Sequence, residues 1–194
     1  MAPPTSPPLH WTPDLQAACA DAVHRAVCDF TGTDGFGACM LYAVAGWSLL
    51  VALDGPAWLL QAGSARILAD PPDGWLEFDA TLPGALARGE FHCWLAKQST
   101  LPQTQPAFLV DFSARHFPRM CHEMLKAGER IPWSQPTPPP VIWTAGQQSP
   151  LIQWEPVPAL CRLLWEHLYE RFADYRPLRQ LVATQVQQRL RERR

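Results

Sequence analysis

An apolar stretch in the first third of the chain constrains the fold more than any other feature. The residues ACMLYAVAGWSLLVAL, from Ala38 to Leu53, include no charged side chain. The stretch is shorter than the roughly 20 residues that a membrane-spanning helix needs. Because it is apolar nearly all round and ends at Gly55-Pro56, it predicts a helix over 38–54 that lies buried at the centre of the protein.

The composition is that of a globular domain. Of the 194 residues, 47% are hydrophobic and 18% are charged, and the formal net charge is −2. A charge this close to zero gives no general attraction to nucleic acid or to a membrane surface, so neither partner is expected. We expect a disordered, proline-rich segment over 1–10 and a single domain over 11–194.

The N-terminus has no charged leader and no apolar segment of a signal peptide, and the six cysteines form no CxxC pair. We therefore expect a cytoplasmic protein with reduced thiols.

The order of helical and strand patterns predicts an α+β fold. Thr12-Pro13-Asp14 is typical of a helix start, and the helix is expected to reach about Phe30. After the central helix, short apolar runs predict strands over 57–63, 65–70, 75–80, 90–97, 106–112, 141–145 and 151–155. Ser113 could cap a helix that Pro118 bends or delays and Gly128 ends, and two C-terminal helices follow. The pattern favours a mostly antiparallel sheet packed on the helix at 38–54.

Cys39 is a candidate nucleophile because it stands in the first turn of the central helix, after GFGA. The free backbone N–H groups and positive dipole at a helix start stabilise a thiolate. The same N–H groups can receive the oxyanion of a tetrahedral intermediate, which places Phe36 and Gly37 in its surroundings. The alternative is that Cys39 is a small buried hydrophobe.

His92 and Asp111 are the candidate partners of this thiol. In a strand over 90–97, His92 shares a face with Trp94, and Phe91, Cys93 and Leu95 share the other. If the His92 face meets the start of the central helix, the imidazole can take the thiol proton and Trp94 can form a wall of the cleft. Asp111, on the next strand, could orient the ring. The alternatives are a core histidine and an aspartate that caps the following helix.

Taken in order, these residues resemble the papain-like cysteine-proteinase superfamily in its transglutaminase-like branch. The matching segments are GACMLYA (37–43), HCW (92–94) and LVDF (109–112), and LLQAGSARIL is similar to the strand pair that follows the nucleophile helix. With PAFLVDFSARHFP, the closest similarity is to an uncharacterised bacterial family of that superfamily.

The resemblance implies a Cys39–His92–Asp111 triad that acts on a peptide, amide or small acyl substrate through a thioester. It implies either hydrolysis or acyl transfer, without a cofactor or metal. Two alternatives stay open: a catalytically silent binding domain on the same fold, and an acyl-CoA-dependent N-acyltransferase. The chain has no glutamine shortly before Cys39, where papain-type enzymes carry one. His24 and Cys28 could share a metal ion, but no CxxC or HExxH spacing supports such a site.

Overall fold

A computed structural model describes residues 10–72, 74–81, 84–98, 107–123, 131–145 and 149–192. The helices are α1 (Pro13–Thr31), α2 (Cys39–Asp54), α3 (Ala85–Arg88), α4 (Phe117–Glu123), α5 (Pro158–Glu170) and α6 (Arg176–Glu192), with a 3-10 turn at Ala114–His116. The strands are β1 (Trp58–Asp70), β2 (Gly74–Phe78), β3 (His92–Lys97), β4 (Phe108–Asp111), β5 (Ile142–Ala145) and β6 (Ile152–Pro156). The disorder expected over 1–10 and the helix end expected at Gly128 fall mostly or wholly outside the described residues.

The six strands form one sheet in which every described pair is antiparallel. The order is β2-β1-β3-β4-β5, and β6 pairs with β1. Together with the surrounding helices, this sheet confirms the predicted α+β class. The N-terminus of α1 is also as expected, since the Thr12 side chain accepts a hydrogen bond from the Leu15 N–H.

Helix α2 is central, as its uniform apolarity predicts. It packs on α1 and α6 on one side and on β1 and β3 on the other. Gly46 allows this close packing, because a Cβ there would lie 2.4 Å from the Phe112 ring. Since the helix is covered on several sides, apolar residues are needed around most of its circumference.

Strand β1 corrects the prediction of two separate strands at 57–63 and 65–70. It is a single strand of 13 residues. Its first half places Trp58, Leu60 and Ala62 in a cluster with α2. Its second half places Ala65, Ile67 and Ala69 in a second cluster on the other face. Side chains alternate throughout, but the buried face changes at the middle, so the pattern imitates two strands.

Gly63, which suggests a turn in the sequence, has another role in the structure. A Cβ at Gly63 would lie 2.1 Å from the Glu155 carbonyl oxygen and 2.8 Å from the Val157 nitrogen. The glycine therefore allows the end of β6 to approach β1 closely without interrupting the strand.

No helix in the described ranges is both long and apolar enough to cross a membrane.

Candidate active site

The structure brings Cys39, His92 and Asp111 together. Cys39 is the first residue of α2, His92 the first of β3 and Asp111 the last of β4. The His92 ring and the Cys93 thiol both lie near enough to the Cys39 thiol to lower its pKa. His92 Nε2 lies 2.6 Å from Asp111 Oδ2, and both side chains are only 1% exposed. Because Nε2 is used by Asp111, Nδ1 is the ring nitrogen left for the thiol.

The histidine is held as a cation. Burial alone would lower its pKa, but the Asp111 carboxylate and the Cys39 thiolate outweigh this effect and raise the pKa of His92 to about 10. Burial would likewise raise the pKa of Asp111, yet the His92 charge and hydrogen bonds from Ser113 lower it. Both partners therefore carry charge at neutral pH.

The surroundings of the Cys39 sulfur favour its thiolate form. Its pKa lies well below the ordinary value, chiefly because the Cys93 S–H donates to it, with further help from the hydrogen bond and charge of His92. Those effects outweigh burial and the repulsion from Asp111, which raise it. Contact with the Cys39 sulfur raises the pKa of Cys93, which stays protonated as the donor. No side chain caps the start of α2, so the backbone N–H groups of its first turn also favour a negative charge at this end of the helix.

Ser113 orients the carboxylate instead of capping a helix as predicted. Its N–H and hydroxyl both donate to Asp111 Oδ1, at 2.8 and 2.7 Å. Asp111 thus uses one oxygen for Ser113 and the other for His92. The helix begins later, at Phe117, after the 3-10 turn, as the delay by Pro118 implies.

The predicted faces of β3 are correct, but the face that meets α2 is not the predicted one. Cys93 and Leu95 pack with α2, whereas Trp94 belongs to the second cluster. Trp94 is buried, stacks 6.5 Å from the His92 ring and packs near Trp154. Trp94 thus lies in the core beside the His92 ring, and its expected role as a wall of the cleft stays a prediction. His92 reaches Cys39 from the strand end, where its partner Gly63 has no side chain.

Phe36 and Gly37 precede Cys39 in the loop before α2. Gly37 adopts a positive φ of 75°, which turns the chain into α2. The Phe36 ring lies 6.0 Å from the His116 ring and beneath the Arg119 guanidinium at 4.1 Å, and its expected place in the oxyanion surroundings stays a prediction. Gly37 lies two residues before the start of α2, whereas Phe36 packs against the second cluster.

A second polar network contains His24, one of the two residues considered above as metal ligands. The Tyr42 hydroxyl lies 2.5 Å from His24 Nδ1 and 2.9 Å from His116 Nε2. Since the hydroxyl has one hydrogen, one of the rings must donate to it. Burial lowers the pKa of His116 to about 4. Within the described ranges, no group of three or more His, Cys, Asp or Glu side chains is arranged to hold a metal ion.

Sequence reasoning missed Cys93 as a partner of the thiol. The available signal was its position on the β3 face opposite His92, which is the face that packs on α2. Met40 and Phe91, each next to a predicted site residue, were also missed. They line a cavity that no local pattern shows.

Comparison with known proteins supports the fold class alone. No protein-family model matches the chain, and no curated protein matches it. Among solved structures, the crystal structure of a genomics target is similar, with a TM-score of 0.54 and 14% sequence identity. The match covers 89% of this chain and 77% of that one. The two proteins therefore share an α+β fold with an antiparallel sheet.

Proposed function

We propose that the protein is a cysteine hydrolase or acyltransferase that acts on an amide or ester through a thioester on Cys39. The observation that carries the proposal is the buried His92–Asp111 pair, with atoms 2.6 Å apart, in contact with a thiol at a helix start. The order of these groups along the chain supports a papain-like fold of the transglutaminase-like type. A purely structural pair would not require the reactive form of the thiol beside it.

The chemistry follows from the positions of the three groups. The Cys39 thiolate attacks the carbonyl carbon, and the backbone N–H groups at the start of α2 stabilise the oxyanion. The His92 cation gives its proton to the departing amine or alcohol, which leaves a thioester. Neutral His92 then removes a proton from water or from a second amine, which attacks the thioester and releases Cys39. Asp111 keeps Nδ1 directed at the sulfur throughout.

Site-selective alkylation tests the proposal. With iodoacetamide near pH 7, we expect Cys39 to react at least about tenfold faster than the other thiols, because an ordinary thiol with a pKa near 8.5 is only a few per cent thiolate. Cys28 and Cys161 are the matched comparisons, since they are also partly exposed. Mass spectrometry of the digested protein gives each rate.

Two histidine variants provide the control. His92→Gln should reduce the Cys39 rate to that of Cys28, whereas His116→Gln removes a buried histidine outside the pair and should leave the rate unchanged. Equal labelling of Cys39 and the comparison thiols in the unmodified protein would support a catalytically silent binding domain instead.

A further inference from the structure

A small apolar cavity lies next to the candidate nucleophile. Its volume is about 240 Å³, and it is enclosed by α5, the middle of β1 and the starts of α2 and β3. Leu160 and Leu164 form the side on α5, where they also pack into the first cluster. Leu163, which is 44% exposed, forms the rim. The cavity is therefore accessible from the surface beside α5.

Residues next in sequence to two of the reacting groups line the cavity. Met40 lines it and directly follows Cys39, and Phe91 lines it and directly precedes His92. Ala62, which also lines it, is the register partner of Cys93. The cavity is therefore formed by the residues next in sequence or in register to Cys39, His92 and Cys93.

The lining selects for hydrocarbon. His167 is the one polar side chain among its described lining residues, and its Nε2 lies 2.8 Å from the Tyr175 hydroxyl. No lining side chain carries a carboxylate, ammonium or guanidinium group that would pair with a charged ligand. A pocket with such a lining favours an apolar ligand, because burial of hydrocarbon is its main source of binding energy.

We propose that this cavity binds the acyl part of the substrate, as an aliphatic chain or side chain. The inference rests on the proposed function, in which Cys39 attacks the carbonyl at the end of that chain. The departing amine or alcohol then lies outside the cavity.

Binding to Cys39→Ala protein tests the cavity without relying on thiol reactivity. We expect calorimetry with straight-chain primary amides to show affinity that rises about fourfold per methylene until the chain fills the cavity and then levels off. Leu163→Asp should weaken octanamide binding at least tenfold. Tyr169→Asp, which adds the same charge on the exposed part of the same helix, should leave it within twofold. Binding that is undetectable or independent of chain length would overturn the assignment.

Leu163→Trp gives a second variant that does not depend on charge. A larger side chain at the rim should shorten, by one or more carbons, the chain length at which the affinity levels off. The melting temperature shows that the variant is folded. An unchanged preference would contradict the cavity as the binding site.

The alkylation rates separate the two proposals. If Cys39 reacts fast with iodoacetamide but saturating octanamide does not slow that reaction, the cavity assignment fails and the proposed function stands. If amides bind to the Cys39→Ala protein with the expected chain-length dependence but Cys39 is not selectively reactive, the proposed function fails and the cavity assignment stands.

Discussion

Replacing Asp111 by Asn should abolish the ion pair at the centre of the candidate site. The substitution keeps the side-chain shape and an oxygen for the Ser113 N–H, but it removes the charge 2.6 Å from His92 Nε2. The pKa of His92 is raised from 6.5 to about 10 against the effect of burial. Without the carboxylate, we expect the pKa of His92 to fall to 6.5 or below. At pH 7.5, about a tenth or less of the rings would then be protonated.

The loss extends to Cys39, because its thiolate is stabilised in part by the His92 charge. We expect Asp111→Asn to slow iodoacetamide alkylation of Cys39 about tenfold or more at pH 7.5. We also expect the free energy of unfolding to fall by about 3 kcal/mol, as when one partner of a buried pair is removed. Nitrogen NMR of the imidazole gives the His92 protonation state, and urea unfolding gives the stability.

Asp54→Asn is the matched control for this experiment. Asp54 is also largely buried and pairs with Lys97 at 2.6 Å, but that pair lies at the far ends of α2 and β3 from Cys39. This variant can lose stability without losing Cys39 reactivity. If Asp111→Asn keeps the Cys39 rate within twofold of the unmodified protein while NMR shows a neutral His92, the thiolate does not depend on the pair and the reasoning is refuted.

Three further variants test neighbouring parts of the fold. Cys93→Ala should raise the pKa of Cys39, because the neighbouring S–H group is lost. Alkylation of Cys39 should then slow several-fold at pH 5.5 but stay unchanged at pH 9. Equal slowing at the two pH values would contradict the role of Cys93. Gly46→Ala should destabilise the protein by about 1–3 kcal/mol in urea unfolding because its Cβ would meet the Phe112 ring, whereas the same change in an open helix stabilises it. Because the pKa of His116 is about 4 when folded and about 6.5 when unfolded, stability should fall as the pH drops from 6.5 toward 4, and His116→Gln should reduce that fall.

Local patterns were sufficient for the parts of the fold that depend on neighbouring residues. The Thr12 cap and the start of α1 follow from three adjacent residues. The buried position of α2 follows from a run without charge, and the alternation along β3 follows from strand geometry alone. Cys39 could be chosen because it stands at a helix start after glycines, and His92 and Asp111 because they are polar residues on two consecutive, otherwise mainly apolar strand patterns.

The rest depends on contacts between distant segments. Gly63 looks like a turn residue until the backbone of Glu155 is placed against it. The face of β3 that packs on α2 is decided by how the sheet sits on the helix, which alternation does not specify. For the same reason, neither the thiol contact of Cys93 nor the cavity beside Met40 could be read from the sequence.

The continuous strand β1 has a consequence for how the polypeptide could be divided. Its halves serve different hydrophobic clusters, and the junction lies at Gly63, which is paired with both His92 and Pro156. Cutting the chain there would leave each fragment with an unsatisfied strand edge next to bare apolar surface, which favours aggregation over independent folding. Either fragment produced alone should therefore be recovered as insoluble material, although the sequence at this point looks like a natural hinge.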